Sequence, residues 1–336
     1  MDELRHDNND LSDDSVTDES IDKILMLKNK LVYNISQNIV LENELLPGII
    51  RKNSSNESYA KWRNSRYYSS SNKNARGLFG SAFRQQKRAD DWSFAFSLSD
   101  CYWIKPDGSD IRFEDVSPYF KPFWKGDGAY IKYTAVPTIY TDGFLSKYWV
   151  DNLWLSKSGD SVSREIECAR LAGLCGITAA EVKAGEKGSI LVRNFTNSEI
   201  MFEQAIVSGK AFGSDNWNDD DIIKEFGEDG FKMLLIDAVF ANGDRHAGNF
   251  GYLRDTNNGK YLGMAPLFDW DHSLDTTAGT DDILIRDAVR MVDKYVEWLS
   301  AAENILYIIS ANSSEPVYKK RALFISEFIN KRGSRV

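Results

Sequence analysis

The feature that most constrains this chain is an apolar run, Glu228 to Phe240, that ends at Ala241-Asn242-Gly243 and continues as Asp244-Arg245-His246-Ala247-Gly248-Asn249. The run has the composition of a buried helix, and an Asn-Gly pair stops a helix, so the polar string that follows is a loop at its end. Beyond it, Phe250 to Arg254 and Tyr261 to Phe268 are β-prone arms around Thr256-Asn257-Asn258-Gly259, a hairpin pattern whose second arm delivers Asp269. A hairpin folds the chain back on itself. Asn249 and Asp269 are therefore expected to meet although twenty residues separate them.

The residue types at that meeting point suit phosphoryl transfer. The charge of a triphosphate and of the transition state needs a metal, and a carboxylate with an amide oxygen forms a hard donor set for Mg²⁺, here Asp269 and Asn249. A separate carboxylate must orient the acceptor hydroxyl and take its proton, and Asp244 stands five residues before Asn249, as the catalytic base does in kinases. An Asp or Asn after a helix is, taken singly, ordinary turn chemistry; the joint pattern decides against that reading. With only three histidines in the chain, His246 and His272 read as hydrogen-bonding members of the structure and not as zinc ligands. Asp237 reads as a brace for the loop. Asp271 is either a second metal contact or an exposed acid, and the sequence leaves both open.

Upstream, Ala135 to Ile139, Phe144 to Val150 and Leu153 to Lys157 read as three short antiparallel strands. They are separated by Tyr140 to Gly143 and by an Asp151-Asn152 turn. From Ser163 to Gly176 apolar residues recur at 166, 169 and 173 and at 168, 171 and 175, so a helix follows, with Ser161 or Ser163 as its cap and Gly176 as its stop. Ile190 to Phe195 is a further strand. Nearer the N-terminus, Ile24 to Leu27 and Leu31 to Ile35 form a hairpin pattern. Residues 51–76 read as a loop around a short helix with Tyr59 and Trp62, and the aromatic stretch from Trp92 reads as core ending at Pro106-Asp107-Gly108. Beyond about residue 200 the pattern turns helical, and 283–333 is amphipathic helix broken at Asn312 to Pro316. The expected fold is α+β and bilobal: residues 1–20 an acidic disordered tail, 21–199 an N-terminal lobe of antiparallel sheet plus helix, and 200–336 a mainly helical C-terminal lobe.

Composition narrows the function. A hydrophobic share of 42% argues for a packed core, and no stretch reaches the roughly 20 apolar residues that cross a bilayer. The first thirty residues lack the features of a signal peptide, so the cytoplasm is expected and a membrane is not. Cys101, Cys168 and Cys175 form neither a disulfide framework nor a zinc motif. A net charge of -9 argues against direct nucleic-acid binding. Residues 1–20 hold eight acids and one Arg, whereas 47–90 hold ten Lys or Arg and two acids; this asymmetry fits a docking surface or simply a solvated tail and face.

The string Asp244 to Asn249 resembles the catalytic loop of HipA-like serine/threonine kinases, and more distantly that of phosphoinositide-kinase-like enzymes. The resemblance spans about residues 130–300, with weaker similarity at Leu98 to Pro106. It implies ATP and Mg²⁺ as cofactors, Asp244 as catalytic base, Asn249 and Asp269 as metal ligands, Lys157 on ATP phosphates and Glu165 as the partner of Lys157. It also implies a protein substrate with a Ser or Thr acceptor, a toxin role and a HipB-like antitoxin partner. Thr138 to Gly143 lies where such kinases cover the phosphates: Gly143 lets backbone approach an anion, and Thr141 is the nearest match to the autophosphorylated hydroxyl. That loop lacks a GxGxxG motif and by itself reads as a hairpin turn. One departure stands out, since many HipA-like enzymes have Lys directly before the metal-binding Asn and this chain has Gly248; Arg245 is then a candidate for the missing positive charge. Two alternatives remain: a lipid or small-molecule kinase, and a catalytically weak kinase fold used for interaction.

Overall fold

The computed structural model describes residues 23–66, 95–106, 108–117, 119–120, 146–151, 153–159, 161–210, 217–274 and 283–333. The expected tail at 1–20, the strand at Ala135 to Ile139 and the loop Thr138 to Gly143 with Thr141 and Gly143 lie outside them.

Three antiparallel sheets precede and flank a helical C-terminal part, the α+β arrangement that the sequence pattern predicts. The first sheet joins β1 (Lys23–Leu27), β2 (Lys30–Asn34), β3 (Ile39–Val40) and β4 (Tyr102–Pro106) in the order β3-β2-β1-β4. Two short helices, α1 (Gly48–Lys52) and α2 (Asn56–Asn64), place Ile50, Tyr59 and Trp62 in the same core as this sheet, where Phe96 stacks on Trp103 with ring centroids 5.6 Å apart. A single turn, α3 (Phe113–Val116), adds Phe113.

The second sheet contains β5 (Ser146–Trp149), β6 (Trp154–Ser158), β7 (Val182–Ala184) and β8 (Ile190–Arg193) in the order β5-β6-β8-β7. Between β6 and β7 runs α4 (Val162–Leu174), where the sequence predicts a helix. Ser161 precedes it without a side-chain cap bond, and Gly176 follows with φ +70°, a left-handed stop that glycine adopts without a Cβ clash.

The third sheet corrects the sequence reading. Residues 200–204 are not helical but form β9 (Ile200–Gln204), which pairs along its length with β10 (Gly251–Asp255), itself paired with β11 (Tyr261–Met264). The reason is burial on both faces: Met201 belongs to the core under the first sheet and Phe202 to the core under the second, so the strand lacks polar alternation. The second hairpin arm also ends at Met264, not Phe268, and the chain from Leu267 onward is held by other contacts.

Helices α5 (Asp219–Phe226), α6 (Glu228–Phe240), α7 (Ile283–Lys294), α8 (Leu299–Asn312) and α9 (Pro316–Gly333) make the C-terminal part. Asn218 and Asp221 cap the start of α5 reciprocally. Phe231, Met233, Leu235, Ile236, Val239 and Phe240 of α6 are fully buried, so this helix is enclosed by its neighbours instead of lying on the surface. It is the rigid post from which the polar loop begins. All three cysteines are buried and free, as their spacing predicts, and none of the described helices is long and apolar enough to cross a membrane.

Candidate active site

The loop after α6 is held from within. Ala241 ends the helix in the left-handed conformation (φ 53°), and the Asp237 carboxylate, one turn earlier, accepts from Asn242 Nδ2 (2.9 Å), from Trp270 Nε1 (3.0 Å) and from Arg245 Nε and Nη2 (2.7 and 3.0 Å). Asp237 is thus the brace that the sequence suggests. Arg245 Nη1 then donates to two carbonyls, Asn249 O at 3.0 Å and Phe268 O at 2.7 Å. One guanidinium therefore spans the two separated stretches, tying the carbonyl of Asn249 to that of Phe268, the residue before Asp269. Four of the five N–H donors of this arginine are engaged in these bonds and its side chain is 5% exposed, so in this structure it ties the loop together.

Asp269 arrives by a second set of contacts. Leu267 bonds Thr178 and Ala180 through its backbone, and Phe268 packs against Phe195 and Phe202 with ring centroids 5.7 and 5.6 Å apart. Asp269 itself has φ +65°, a left-handed conformation that Asp tolerates better than most residues. Its backbone N–H donates to Glu165 Oε1 at 3.3 Å.

Glu165 lies on the buried stripe of α4 with Cys168, Leu171 and Ala172, a position where a carboxylate is costly unless paired. Its partner is Lys157, whose Nζ donates to both Glu165 oxygens at 2.9 Å and to Asp269 Oδ1 at 2.7 Å. Burial opposes each of these charges. For Lys157 the nearby Asp269 and Glu165 outweigh burial and hold the ammonium well above the ordinary lysine range. For Asp269, Lys147 and then Lys157 outweigh it and hold the carboxyl well below the aspartate range.

Lys147 is the residue that sequence reasoning missed. It is the cross-strand partner of Lys157 in β5, so both side chains leave the same face of the sheet. Its buried Nζ lies 3.7 Å from Asp269 Oδ1 and 3.6 Å from Asp271 Oδ2, with no hydrogen bond to either. The signal was strand pairing: once β5 and β6 pair around Asp151, position 147 must face 157. Asp271, left open between two roles, is buried, which removes the exposed-acid reading. Asp244 is the accessible acid, 40% exposed, with His272 Nε2 3.9 Å away. Burial, reinforced by Asp269 and Asp271 and opposed by the two histidines, raises its carboxyl above the usual aspartate range. His246 acts within the loop, its Nδ1 accepting from Gly248 N at 3.0 Å.

Gly248 has a local reason. A Cβ there would meet His246 Cε1 at 2.8 Å and Nδ1 at 2.9 Å, so the imidazole occupies the space a side chain at 248 would need. Beside the lysines, Trp149, Leu155 and Val192 form a cross-strand row that with Phe195 and Phe268 lines an apolar slot ending at Lys157.

The donor set fits a divalent cation. Asn249 Oδ1 and Asp271 Oδ2 are buried without a hydrogen-bond partner, while Asn249 Nδ2 is tied to Asp244 O at 3.1 Å, which fixes the amide with its oxygen free. Among the described residues no group of three or more His, Cys, Asp or Glu forms a metal cluster.

No protein-family model matches the chain, and a search of curated proteins gives no match. Among solved structures, the chain is similar to the proinflammatory kinase CtkA of Helicobacter pylori at 17% identity and a TM-score of 0.36, over 57% of this chain and 90% of that one. It is also similar to the toxin–antitoxin complex of HipA, HipB and operator DNA from Shewanella oneidensis MR-1 at 11% identity and a TM-score of 0.47, over 91% of this chain and 94% of that one.

Proposed function

We propose that this chain is an ATP- and Mg²⁺-dependent protein serine/threonine kinase of HipA type. The observation that supports it most is the Lys157 ammonium, fixed between Glu165 and Asp269. A buried lysine paired with a helix carboxylate and reaching a second carboxylate is the arrangement that phosphate binding needs in kinases.

In this reading Lys157, at the end of the apolar row of Trp149, Leu155, Val192, Phe195 and Phe268, takes the phosphates. Asn249 and Asp269 hold Mg²⁺, with Asp271 beside them. When bound, the ion supplies neutralisation of phosphate charge. Asp244, half-exposed, orients the acceptor hydroxyl and takes its proton, and its raised affinity for protons suits a base. Arg245 keeps Asn249 and Asp269 in register. Thr141 and Gly143 cover the phosphates, with Thr141 the autophosphorylation site; residues 21–199 form the nucleotide-binding lobe and 200–336 the catalytic lobe. The substrate is a protein with a Ser or Thr acceptor, the role that of a cytoplasmic toxin, and the partner a HipB-like antitoxin.

Incubation with radiolabelled Mg-ATP, for wild type and Asp244→Asn, tests the reading, with mass spectrometry of the modified residue. Wild type is expected to label protein on Ser or Thr, and the variant at least roughly 10²-fold more slowly. Equal labelling by both, or none by either with Mg²⁺ present, overturns it.

A further inference from the structure

Two lysines directly opposite each other on an antiparallel pair repel, so Lys147 and Lys157 at one site require carboxylates to hold them. Lys157 has three close hydrogen bonds. Lys147 has none: it is buried, its Nζ is unbonded, and it stands off at 3.6–3.7 Å from Asp269 and Asp271. Asp271 Oδ2, which it faces, is equally unbonded. A buried ammonium and a buried carboxylate that neutralise each other without a hydrogen bond form an expensive pair with a low barrier to exchange for a better-coordinated cation.

We propose that Lys147 is the resident counter-ion of Asp269 and Asp271 in the nucleotide-free protein, and that a divalent cation must displace it to reach these carboxylates. The proposal rests on the kinase reading for the identity of the site. Lys147 then sets the divalent affinity of the protein: its positive charge opposes the incoming cation and weakens the binding of metal alone. Once displaced, the ammonium remains on the same sheet face as Lys157, beside the carboxylates it has left.

The charge balance makes the prediction directional. Lys147 and Lys157 face Asp269, Asp271 and Glu165, so removing Lys147 increases the net negative charge of the site by one. Mn²⁺ is the probe, titrated into the nucleotide-free protein and followed by electron paramagnetic resonance, with wild type, Lys147→Gln, Lys147→Arg and Asp269→Asn compared. Lys147→Gln is expected to bind Mn²⁺ at least roughly tenfold more tightly than wild type, because a nearby unit charge has been removed from a low-dielectric site. Lys147→Arg is expected to stay close to wild type and Asp269→Asn to lose the site. The rise in unfolding temperature caused by Mn²⁺ is expected to be larger for Lys147→Gln than for wild type, a readout that remains if the metal-free variant is poorly folded.

Equal or weaker Mn²⁺ binding by Lys147→Gln overturns the proposal. If Asp269→Asn nevertheless abolishes binding, the kinase reading of the metal site survives that failure. Absence of any Mn²⁺ site in wild type and Lys147→Gln alike removes both.

Discussion

Lys157 Nζ and Asp269 Oδ1 lie 2.7 Å apart although 112 residues separate them, and both side chains are buried. This contact joins the second sheet to the segment beyond the hairpin, so it couples the stability of the fold to the chemistry of the site. Lys157→Met leaves Glu165 as a buried, uncompensated carboxylate and Asp269 with Lys147 alone at 3.7 Å, and is expected to cost about 3–5 kcal/mol in urea unfolding at neutral pH. Adding Glu165→Leu to that variant is expected to recover part of the loss, since the apolar pair no longer buries that charge. A double-mutant cycle measures the coupling.

Arg245→Lys removes the fork that bonds Asp237 and spans the carbonyls of Asn249 and Phe268. Lysine cannot reproduce that geometry. Phosphotransfer is expected to fall by roughly 10²-fold in kcat through misplacement of Asn249 relative to Asp269. Nucleotide KM is expected to change little, because Lys157 is held by Glu165 and not by Arg245; steady-state kinetics separate the two.

Gly248→Ala places a Cβ within 2.9 Å of the His246 ring and so must move the imidazole or the loop. Its kcat is expected to drop. In a His246→Ala background the same substitution is expected to cost less, since the ring that obstructs it is gone. Equal effects in both backgrounds would show that sterics at 248 are unimportant.

Burial pushes the thiols of Cys168 and Cys175 up to about 12, and raises Cys101 further. A thiol with a raised pKa is neutral at every pH below it, so native protein at pH 8 is expected to react very slowly with a thiolate-selective reagent. Three thiols are expected to become reactive in denaturant. Rapid native labelling of any of them would contradict the packing.

Some of this was written in local sequence. The apolar run of α6, its stop at Asn242-Gly243, the hairpin around Thr256 to Gly259 and the periodicity of α4 are nearest-neighbour properties. Propensity and turn chemistry act over a few residues, so these elements are legible one segment at a time.

What local sequence did not determine was who meets whom. β9 escaped notice because both its faces are buried, Met201 and Phe202 in different cores, and a strand without polar alternation has no period to read. Nothing in its neighbouring sequence singles out Lys147, and pairing alone puts it opposite Lys157; the bond from Arg245 to Phe268 likewise crosses 23 positions. Sequence spelled out the elements and the chemical groups, because these follow from short-range sterics and solvation; tertiary structure alone chose the charge partners, because a buried ion finds its counter-ion through space and not along the chain.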